Sequence, residues 1–229
     1  MMAEGKEHSR FKKARLDIKI VVVGSSGTGK TSFCNQWMKG FFSDEYKATI
    51  MSEFTNKMYN YNGNYYRVQI WDLAGQDKNI YASKLFTKDA HGCLILCDAT
   101  KPETLETTLK WKKAVDENTK FIDGTFIPII LVQNKIDLVE EKQEDEEVLK
   151  SYVDKNNFLT FTRTSCKNNE NINETMDYLL KNIIDRLEEY YKTQHKNLDE
   201  NQRNTSIVKQ NVIPGNQLIQ GGVKSSGCC

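Results

Sequence analysis

Apolar and β-branched residues occur along this chain in short runs, and polar stretches with a helical period separate most of them. The first run, residues 18–23, is unbroken and ends at Gly24, a pattern typical of a strand buried on both faces. Residues 93–98, 127–133 and 158–164 have the same apolar or β-branched character. These four runs predict the central strands of a sheet.

Two more strands are predicted at residues 54–60 and 65–71, on either side of the sequence Tyr61-Asn62-Gly63-Asn64. Asn-Gly between two such runs is the strongest short-range signal for a tight hairpin turn. We therefore expect these two strands to pair antiparallel.

Helical periodicity appears after the first run and between the later ones, at residues 30–39, 105–117, 144–154 and 173–191. Strands that alternate with helices need crossover connections, which produce a mainly parallel sheet covered on both sides. The pattern predicts the α/β class. We expect a three-layer α/β/α domain whose six-stranded, mainly parallel sheet has one antiparallel edge strand.

The patterned part of the chain covers residues 16–191, which we interpret as one folded domain. Residues 1–15 carry a basic run and are expected to form a flexible arm. From Lys192 hydrophobicity falls and Asn, Gln, Lys and Gly dominate, so residues 192–229 are predicted to be a disordered tail. The acidic stretch 140–147 is expected to be a solvated loop and helix start, because like charges gain nothing from burial.

Composition narrows the classes of function. Thirty-two Lys and Arg residues face 31 Asp and Glu residues, a net charge of +1 that gives no reason to expect nucleic-acid binding. No apolar run approaches the ~20 residues of a membrane span, and the polar N-terminus predicts no secretory signal. We therefore expect synthesis in the cytosol, where Cys34, Cys93, Cys97 and Cys166 would be reduced and mostly buried.

Residues 24–31, Gly-Ser-Ser-Gly-Thr-Gly-Lys-Thr, match the phosphate-loop pattern G-x-x-x-x-G-K-[ST] between a predicted strand and a predicted helix. Glycines let the backbone wrap a phosphate group, and the helix start adds its positive dipole end. Lys30 would reach the β- and γ-phosphates, and the Thr31 hydroxyl would bind Mg²⁺. This motif predicts a nucleoside triphosphate and leaves a kinase, an ATPase and a GTPase open.

The sequence Asn134-Lys135-Ile136-Asp137 favours guanine, since it follows a buried strand at the edge where α/β sheets bind ligands. The Asp137 carboxylate can accept from the ring N–H and the exocyclic amine of guanine, whereas adenine presents no such pair of donors. A wrong base would leave this carboxylate unpaired, which costs several kcal/mol. Ser165-Cys166-Lys167, after the last strand, would contact the other side of the base.

Two segments are suited to sensing the γ-phosphate. In the segment 72–76, Asp72 can hold Mg²⁺ through water, and the Gly75 amide can bind the γ-phosphate. Gln76 can orient the attacking water, which makes it the predicted catalytic residue. Thr49, in a polar loop upstream, could complete the metal shell. Loss of the γ-phosphate would release Thr49 and Gly75 together, so both loops would relax after hydrolysis.

Neither segment contains an arginine, and the nearest one, Arg67, falls in a predicted strand. We therefore predict slow intrinsic hydrolysis, with the charge of the transition state stabilised by a partner protein. A nucleotide-binding scaffold with little turnover is the alternative. A P-loop kinase is a third reading, but the sequence has no lid segment for it and it leaves residues 134–137 unexplained.

Together these motifs resemble the Ras superfamily of small GTPases, and within it the Rab branch, over residues 16–190 and the terminal cysteine pair. Ser26 in the phosphate loop, Trp71 before Asp72, and Ala-His-Gly at residues 90–92 are similar to Rab sequences. The resemblance implies a P-loop GTPase domain that binds GTP and GDP with Mg²⁺. It also implies a membrane-attached switch that hydrolyses GTP in vesicle trafficking.

The resemblance assigns further roles to aromatic residues. Phe42 matches the aromatic side chain that stacks on guanine, and an aromatic triad would present the nucleotide state to effectors: Phe54, Trp71 and Phe86. The predicted metal ligands are Thr31, Thr49 and Asp72. The predicted nucleotide contacts are Ser26, Gly27, Thr28, Gly29, Lys30, Thr31, Ser32, Phe42, Thr49, Gly75, Asn134, Lys135, Asp137, Ser165, Cys166 and Lys167.

The sequence differs from the Rab pattern at residues 51–53 and 77–80, which leaves the phosphate chemistry intact but changes the surface that partners would read. Segments 42–50, 109–112 and 123–128 resemble the Rab subgroup of lysosome-related organelles. The implied partners are a guanine nucleotide exchange factor, a GTPase-activating protein and effectors.

The chain ends in Cys228 and Cys229, similar to the doubly geranylgeranylated ends of Rabs. Two lipid chains hold a protein stably at a membrane where one chain is marginal, and a modest basic excess in the tail would assist at an anionic leaflet. The resemblance implies prenyl-chaperone partners of the escort and GDI type. It places the protein at the cytoplasmic face of intracellular membranes, from which it would cycle with the cytosol.

Overall fold

The structure of the chain, a computed structural model, describes residues 16–45, 49, 53–75, 84–140 and 143–210. The predicted N-terminal arm, residues 1–15, lies outside the described residues, as do Gln76, most of the altered segments 51–53 and 77–80, and the terminal pair Cys228 and Cys229.

The described residues form one six-stranded sheet in the order β2-β3-β1-β4-β5-β6. Only β2 is antiparallel to its neighbour, and it lies at the edge of the sheet, so the predicted fold class is confirmed. The strands are β1 (Leu16–Gly24), β2 (Glu53–Tyr61), β3 (Asn64–Asp72), β4 (Gly92–Asp98), β5 (Ile129–Asn134) and β6 (Thr160–Thr164).

The β2–β3 hairpin forms where the sequence predicts it. Asn62 and Gly63 have φ angles of 50° and 77°, and the tightest hairpin turns need positive φ at both central positions. The register that follows pairs Phe54 with Trp71 and Glu53 with Asp72. The turn therefore sets which side chains meet at the far end of the hairpin.

Helices cover both faces of the sheet, because every residue of β4 is buried and a strand can be fully buried only between two layers. Leu179 and Ile183 of the last helix lie against Gly92 of β4, on one of these faces. The helices are α1 (Lys30–Lys39), α2 (Lys84–Thr87), α3 (Pro102–Asn118), α4 (Gln143–Lys155) and α5 (Ile172–Gln210), with a short 3₁₀ turn at Ile136–Leu138.

The last helix is longer than predicted: α5 continues to Gln210 instead of ending at residue 191. Lys, Glu, Gln and Arg are good helix formers, and no Gly or Pro interrupts the sequence before Pro214. The helix therefore continues although apolar residues become rare after Lys192. The compact unit that holds the sheet ends at Leu187.

Four cysteines are buried thiols, as predicted from the cytosolic interpretation. Burial raises the pKa of Cys97 and of Cys166 to about 12, and that of Cys34 and Cys93 above the ordinary range. None of the described helices combines the length and apolar character needed to cross a membrane.

Core packing on the central strands makes a test of the fold. Leu131 of β5 has no exposed surface, whereas Leu109 of α3 is 38% exposed. We expect Leu131→Ala to lower the free energy of unfolding by about 3 kcal/mol, because it leaves a cavity where the sheet is covered on both faces. Leu109→Ala should cost less than about 1 kcal/mol. Urea unfolding followed by circular dichroism measures both, and equal losses would contradict this account of the core.

Candidate functional site

The phosphate loop runs from Gly24, at the end of β1, to the first residue of α1. Gly29, the residue before the helix, has a φ of 94°, which L side chains rarely adopt. A Cβ atom at Gly29 would lie 2.2 Å from Asn134 Nδ2. Glycine is therefore needed here for both the turn and the close approach of the β5 end.

The Lys30 ammonium is buried inside the loop. Its Nζ donates hydrogen bonds to the carbonyl oxygens of Gly24 and Ser25, both at 2.9 Å. Gly75 comes so close from the other side that a Cβ there would lie 2.2 Å from Lys30 Nζ. Burial lowers the pKa of Lys30 to about 8, although the nearby Asp72 carboxylate opposes this shift. A positive charge thus lies between the phosphate loop and the Gly75 backbone.

Three oxygen-bearing side chains meet beside this lysine. Thr31 Oγ1 donates to Asp72 Oδ2 at 2.5 Å and lies 2.8 Å from Thr49 Oγ1. Burial raises the pKa of Asp72 to about 6, against the hydrogen bond from Thr31 and the charge of Lys30. Asp72 Oδ1 is buried and has no hydrogen-bond partner among the residues that the structure describes. Hydroxyl and carboxylate oxygens are ligands that Mg²⁺ prefers, so these residues fit the metal.

Asn134, the last residue of β5, joins the phosphate loop to the opposite loop. Its Nδ2 donates to the carbonyl oxygen of Thr28 at 3.0 Å. Its Oδ1 accepts from Thr164 Oγ1 at 3.1 Å and from the backbone N–H of Cys166 at 3.3 Å. The Asn134 side chain therefore holds the ends of β1, β5 and β6 together, and its own polar atoms are satisfied while buried.

The residues after Asn134 form a second, more open part of the site. Lys135 has a φ of 68°, and its Nζ donates to Asp98 Oδ2 at 2.6 Å. Burial alone would raise the pKa of Asp98, but hydrogen bonds from Lys135 and Thr100 outweigh it and lower the pKa. Asp137 Oδ1 accepts from Ser165 Oγ at 2.6 Å. The loops after β5 and β6 are thus tied to each other as well as to the phosphate loop.

The predicted aromatic triad is in contact. The ring centroids of Phe54 and Trp71 are 5.1 Å apart, and those of Trp71 and Phe86 are 6.0 Å apart. Lys19 Nζ lies 4.8 Å from the centre of the Trp71 ring and donates to the carbonyl oxygen of Lys88. Phe54 is 47% exposed, whereas Trp71 and Phe86 are partly buried against the core, so the triad lies at the boundary between core and surface.

The structure brings most of the predicted site residues to one edge of the sheet. The phosphate loop, the clustered oxygens of Thr31, Thr49 and Asp72, and the two loops after β5 and β6 are linked by the hydrogen bonds above. Phe42 follows α1 and packs, partly buried, against the core. Ser26, Ser32 and Lys167 lie in or next to these loops, at least partly exposed. The catalytic residue predicted at Gln76 lies outside the described residues.

Two supporting residues were missed by the sequence analysis. Asp98 ends a fully apolar strand with a buried carboxylate, and this position at the carboxyl edge was the signal that could have identified it. Thr164 is likewise the last, buried residue of its strand, β6, and its hydroxyl donates to Asn134. Neither residue belongs to a recognisable motif, because each acts through another side chain.

A pair of glycine variants tests the role of the Asn134 clamp. Gly27 also has a positive φ, 78°, but an added Cβ would meet nothing within 4 Å. Gly27→Ala should cost about 1–2 kcal/mol of backbone strain. Gly29→Ala should cost at least about 1 kcal/mol more, because Asn134 must also give up its hydrogen bond to Thr28. Urea unfolding at the same nucleotide concentration measures the difference, and equal losses would show that the contact is unimportant.

Comparisons with known proteins agree with this geometry. The profile of the Ras family matches residues 19–185. Ras-related protein Rab-32 of Sus scrofa is 32% identical over 167 residues, covering 72% of this chain and 74% of that protein. Ras-related protein Rab-7L1 of Homo sapiens is 32% identical over 167 residues, covering 72% and 82%.

Ras-related protein Rab-32A of Dictyostelium discoideum is 35% identical over 177 residues, which cover 73% of this chain and 80% of that protein. These matches confirm the predicted family and its relation to the subgroup of lysosome-related organelles. The chain belongs to the Ras family of small GTPases, in its Rab branch, and is a GTP-hydrolysing enzyme with a role in membrane trafficking.

Proposed function

We propose that the protein binds GTP and GDP with Mg²⁺, hydrolyses GTP slowly without help, and acts as a membrane-attached switch in vesicle trafficking. The observation that carries this proposal is the hydrogen bond between Asn134 Nδ2 and the Thr28 carbonyl oxygen. It joins the loop suited to phosphates to the loop suited to a purine, so that one nucleotide can occupy both.

Asp137 selects guanine in this proposal. Its Oδ1 accepts from Ser165 Oγ, which orients the carboxylate toward a base lying between the loops after β5 and β6. Lys135, held by Asp98, supports one side of that base. Phe42 stacks on the base from the end of α1, and Cys166 and Lys167 contact it from the loop after β6.

Lys30 and the three clustered oxygens bind the phosphate end. The Lys30 ammonium is already buried beside Ser25 and Gly75. It can therefore exchange its carbonyl partners for phosphate oxygens without a new desolvation cost. Thr31, Thr49 and Asp72 are the residues that would hold Mg²⁺, which neutralises phosphate charge when bound. When the γ-phosphate is lost, Thr49 and Gly75 lose their contacts at this end of the nucleotide, and the two loops that carry them relax.

Gln76 orients the attacking water, and the Gly75 amide binds the γ-phosphate. The sequence contains no arginine between Arg67 and Arg163, so an arginine for the transition state has to come from a GTPase-activating protein. The altered residues 51–53 and 77–80 leave these groups in place and change the partner surface around Phe54, Trp71 and Phe86.

Attachment to the membrane relies on Cys228 and Cys229, which carry two prenyl chains in this proposal. Prenyl chaperones of the escort and GDI type then shield the lipids while the protein returns to the cytosol. The protein would reside at the cytoplasmic face of intracellular membranes.

The base preference can be inverted at one residue. We expect Asp137→Asn to weaken binding of mant-GTP by at least about 100-fold, because an amide N–H would then face the donors of guanine. Binding should recover with the xanthine analogue, whose 2-position is an acceptor. Asp154→Asn, the same change at an exposed side chain of α4, is the matched control and should leave mant-GTP affinity unchanged. Unchanged mant-GTP affinity in Asp137→Asn would refute the assignment.

The rate of hydrolysis separates a slow switch from a scaffold. In a single-turnover assay of phosphate release with Mg²⁺, we expect a rate on the order of 10⁻⁴ to 10⁻³ s⁻¹. Gln76→Leu should lower this rate further and leave mant-GTP affinity unchanged. Gln69→Leu, whose side chain bonds Asp17 away from the site, should not change the rate. Fast release without a partner would refute the proposal, and no release at all would favour the scaffold.

A further inference from the structure

A cavity of about 510 Å³ lies between α3 and α4, beside the nucleotide site. Leu105 of α3 and Leu149 of α4 form its sides, and Cys97 and Gln133 line it from the ends of β4 and β5. This volume is within the ~300–1,000 Å³ of ordinary ligand pockets. None of the predicted nucleotide contacts lines it, so the proposed function does not account for this cavity.

Large apolar side chains are exposed at the edge of the cavity. Val148, which lines it from α4, is 62% exposed, and Leu138, next to the lining residue Val139, is 61% exposed. Such side chains beside a pocket are typical of a protein-binding surface in which one partner side chain fills the pocket.

The surroundings of the cavity are acidic. Glu140 itself lines the cavity and is exposed. Glu146 and Glu147 are exposed on α4, and Glu103 and Glu106 are exposed on α3 across the cavity. Basic side chains of the described residues also lie nearby: Lys135 is paired with Asp98, Arg163 donates to Gln133 Oε1 at 3.0 Å, and Lys101 is exposed. Acidic groups on both sides favour a positively charged partner.

We propose that this α3–α4 face docks a basic segment of a partner protein, with one bulky apolar side chain of that segment inserted in the cavity. The cavity accommodates a side chain, while the exposed Val148 and the acidic groups extend beyond it and require a longer ligand. This surface is distinct from the aromatic triad, so the two can be occupied independently.

Docking at this face affects the loop after β5, which contains Lys135 and Asp137 and is the base-binding loop of the proposed function. Asp98 lines the cavity, and the same carboxylate holds Lys135 at 2.6 Å. Val139 and Glu140, also in the lining, lie two and three residues after Asp137 along the chain. A side chain that fills the cavity therefore changes the rate at which guanine nucleotide leaves, an effect that rests on the proposed function.

Selection from a random peptide display library tests the docking surface. The GDP-loaded full chain is the target, and its Val148→Arg variant removes peptides that bind elsewhere. We expect the recovered peptides to carry Lys and Arg around one bulky apolar residue. Absence of recovered peptides, or recovery of acidic or uncharged ones, would overturn the proposal.

Fluorescence anisotropy of a recovered peptide then maps the contact. Val148→Arg should weaken binding by about 10-fold or more, and so should the pair Glu140→Lys with Glu147→Lys. Ile122→Ser, at an apolar residue with 47% exposure in another loop, and Glu117→Lys, at the end of α3, are matched controls that should change little. Equal weakening by the controls would overturn the proposal. All five substitutions are at exposed side chains, and circular dichroism verifies folding.

The coupling has its own measurement, the rate of mant-GDP release with and without saturating peptide. We expect a change of about fivefold or more. An unchanged rate with the peptide bound would refute the coupling. Failure to bind mant-GDP at all would refute the proposed function instead, and the anisotropy measurement would still report on the docking surface.

Discussion

The buried amide of Asn134 is the constraint on which the rest of the site depends. From the end of β5, this side chain donates to the Thr28 carbonyl of the phosphate loop, and its oxygen accepts from Thr164 at the end of β6 and from the Cys166 N–H. A buried amide must satisfy all its polar atoms, so its position is closely defined once the three strand ends are in place. This requirement also explains why residue 29 must be glycine, since any side chain would displace the amide.

The second characteristic of the site is a pair of buried ionisable side chains, Lys30 and Asp72. Among the described residues, Lys30 bonds carbonyl oxygens of the phosphate loop, and Asp72 is paired with a threonine hydroxyl. Burial lowers the pKa of the lysine and raises that of the aspartate, because it disfavours the charged form of each group. A phosphate beside Lys30 and a divalent cation beside Asp72 would relieve both costs, and this favours tight binding of the two together.

As a Rab GTPase, the protein has exchange factors, GTPase-activating proteins and effectors as its kinds of partner. Its described surface offers two separate places for contacts of different chemistry. The aromatic triad is apolar, belongs to β2, β3 and α2, and has Lys19 as its neighbouring cation. The α3–α4 face contains a cavity with Asp98 and Glu140 in its lining, and the Asp98 carboxylate holds Lys135 of the loop after β5. Under the two proposals above, nucleotide state and the geometry of the loop after β5 would be recognised at different surfaces.

Local sequence alone determined the strands, the hairpin and the chemical groups of the site, because these depend on residues close together along the chain. The phosphate loop and the Asn-Lys-Ile-Asp sequence are each contiguous, and the Asn62-Gly63 turn needs only its own two positive φ angles. The length of α5 was mispredicted because hydrophobic periodicity reports burial, whereas the helix continues on intrinsic propensity to Gln210. Only the tertiary structure decided that Asn134 contacts Thr28, that Asp98 holds Lys135, and that a cavity separates α3 from α4. Each of these contacts joins residues from different strands or helices, and strand order and packing bring them together rather than any local preference.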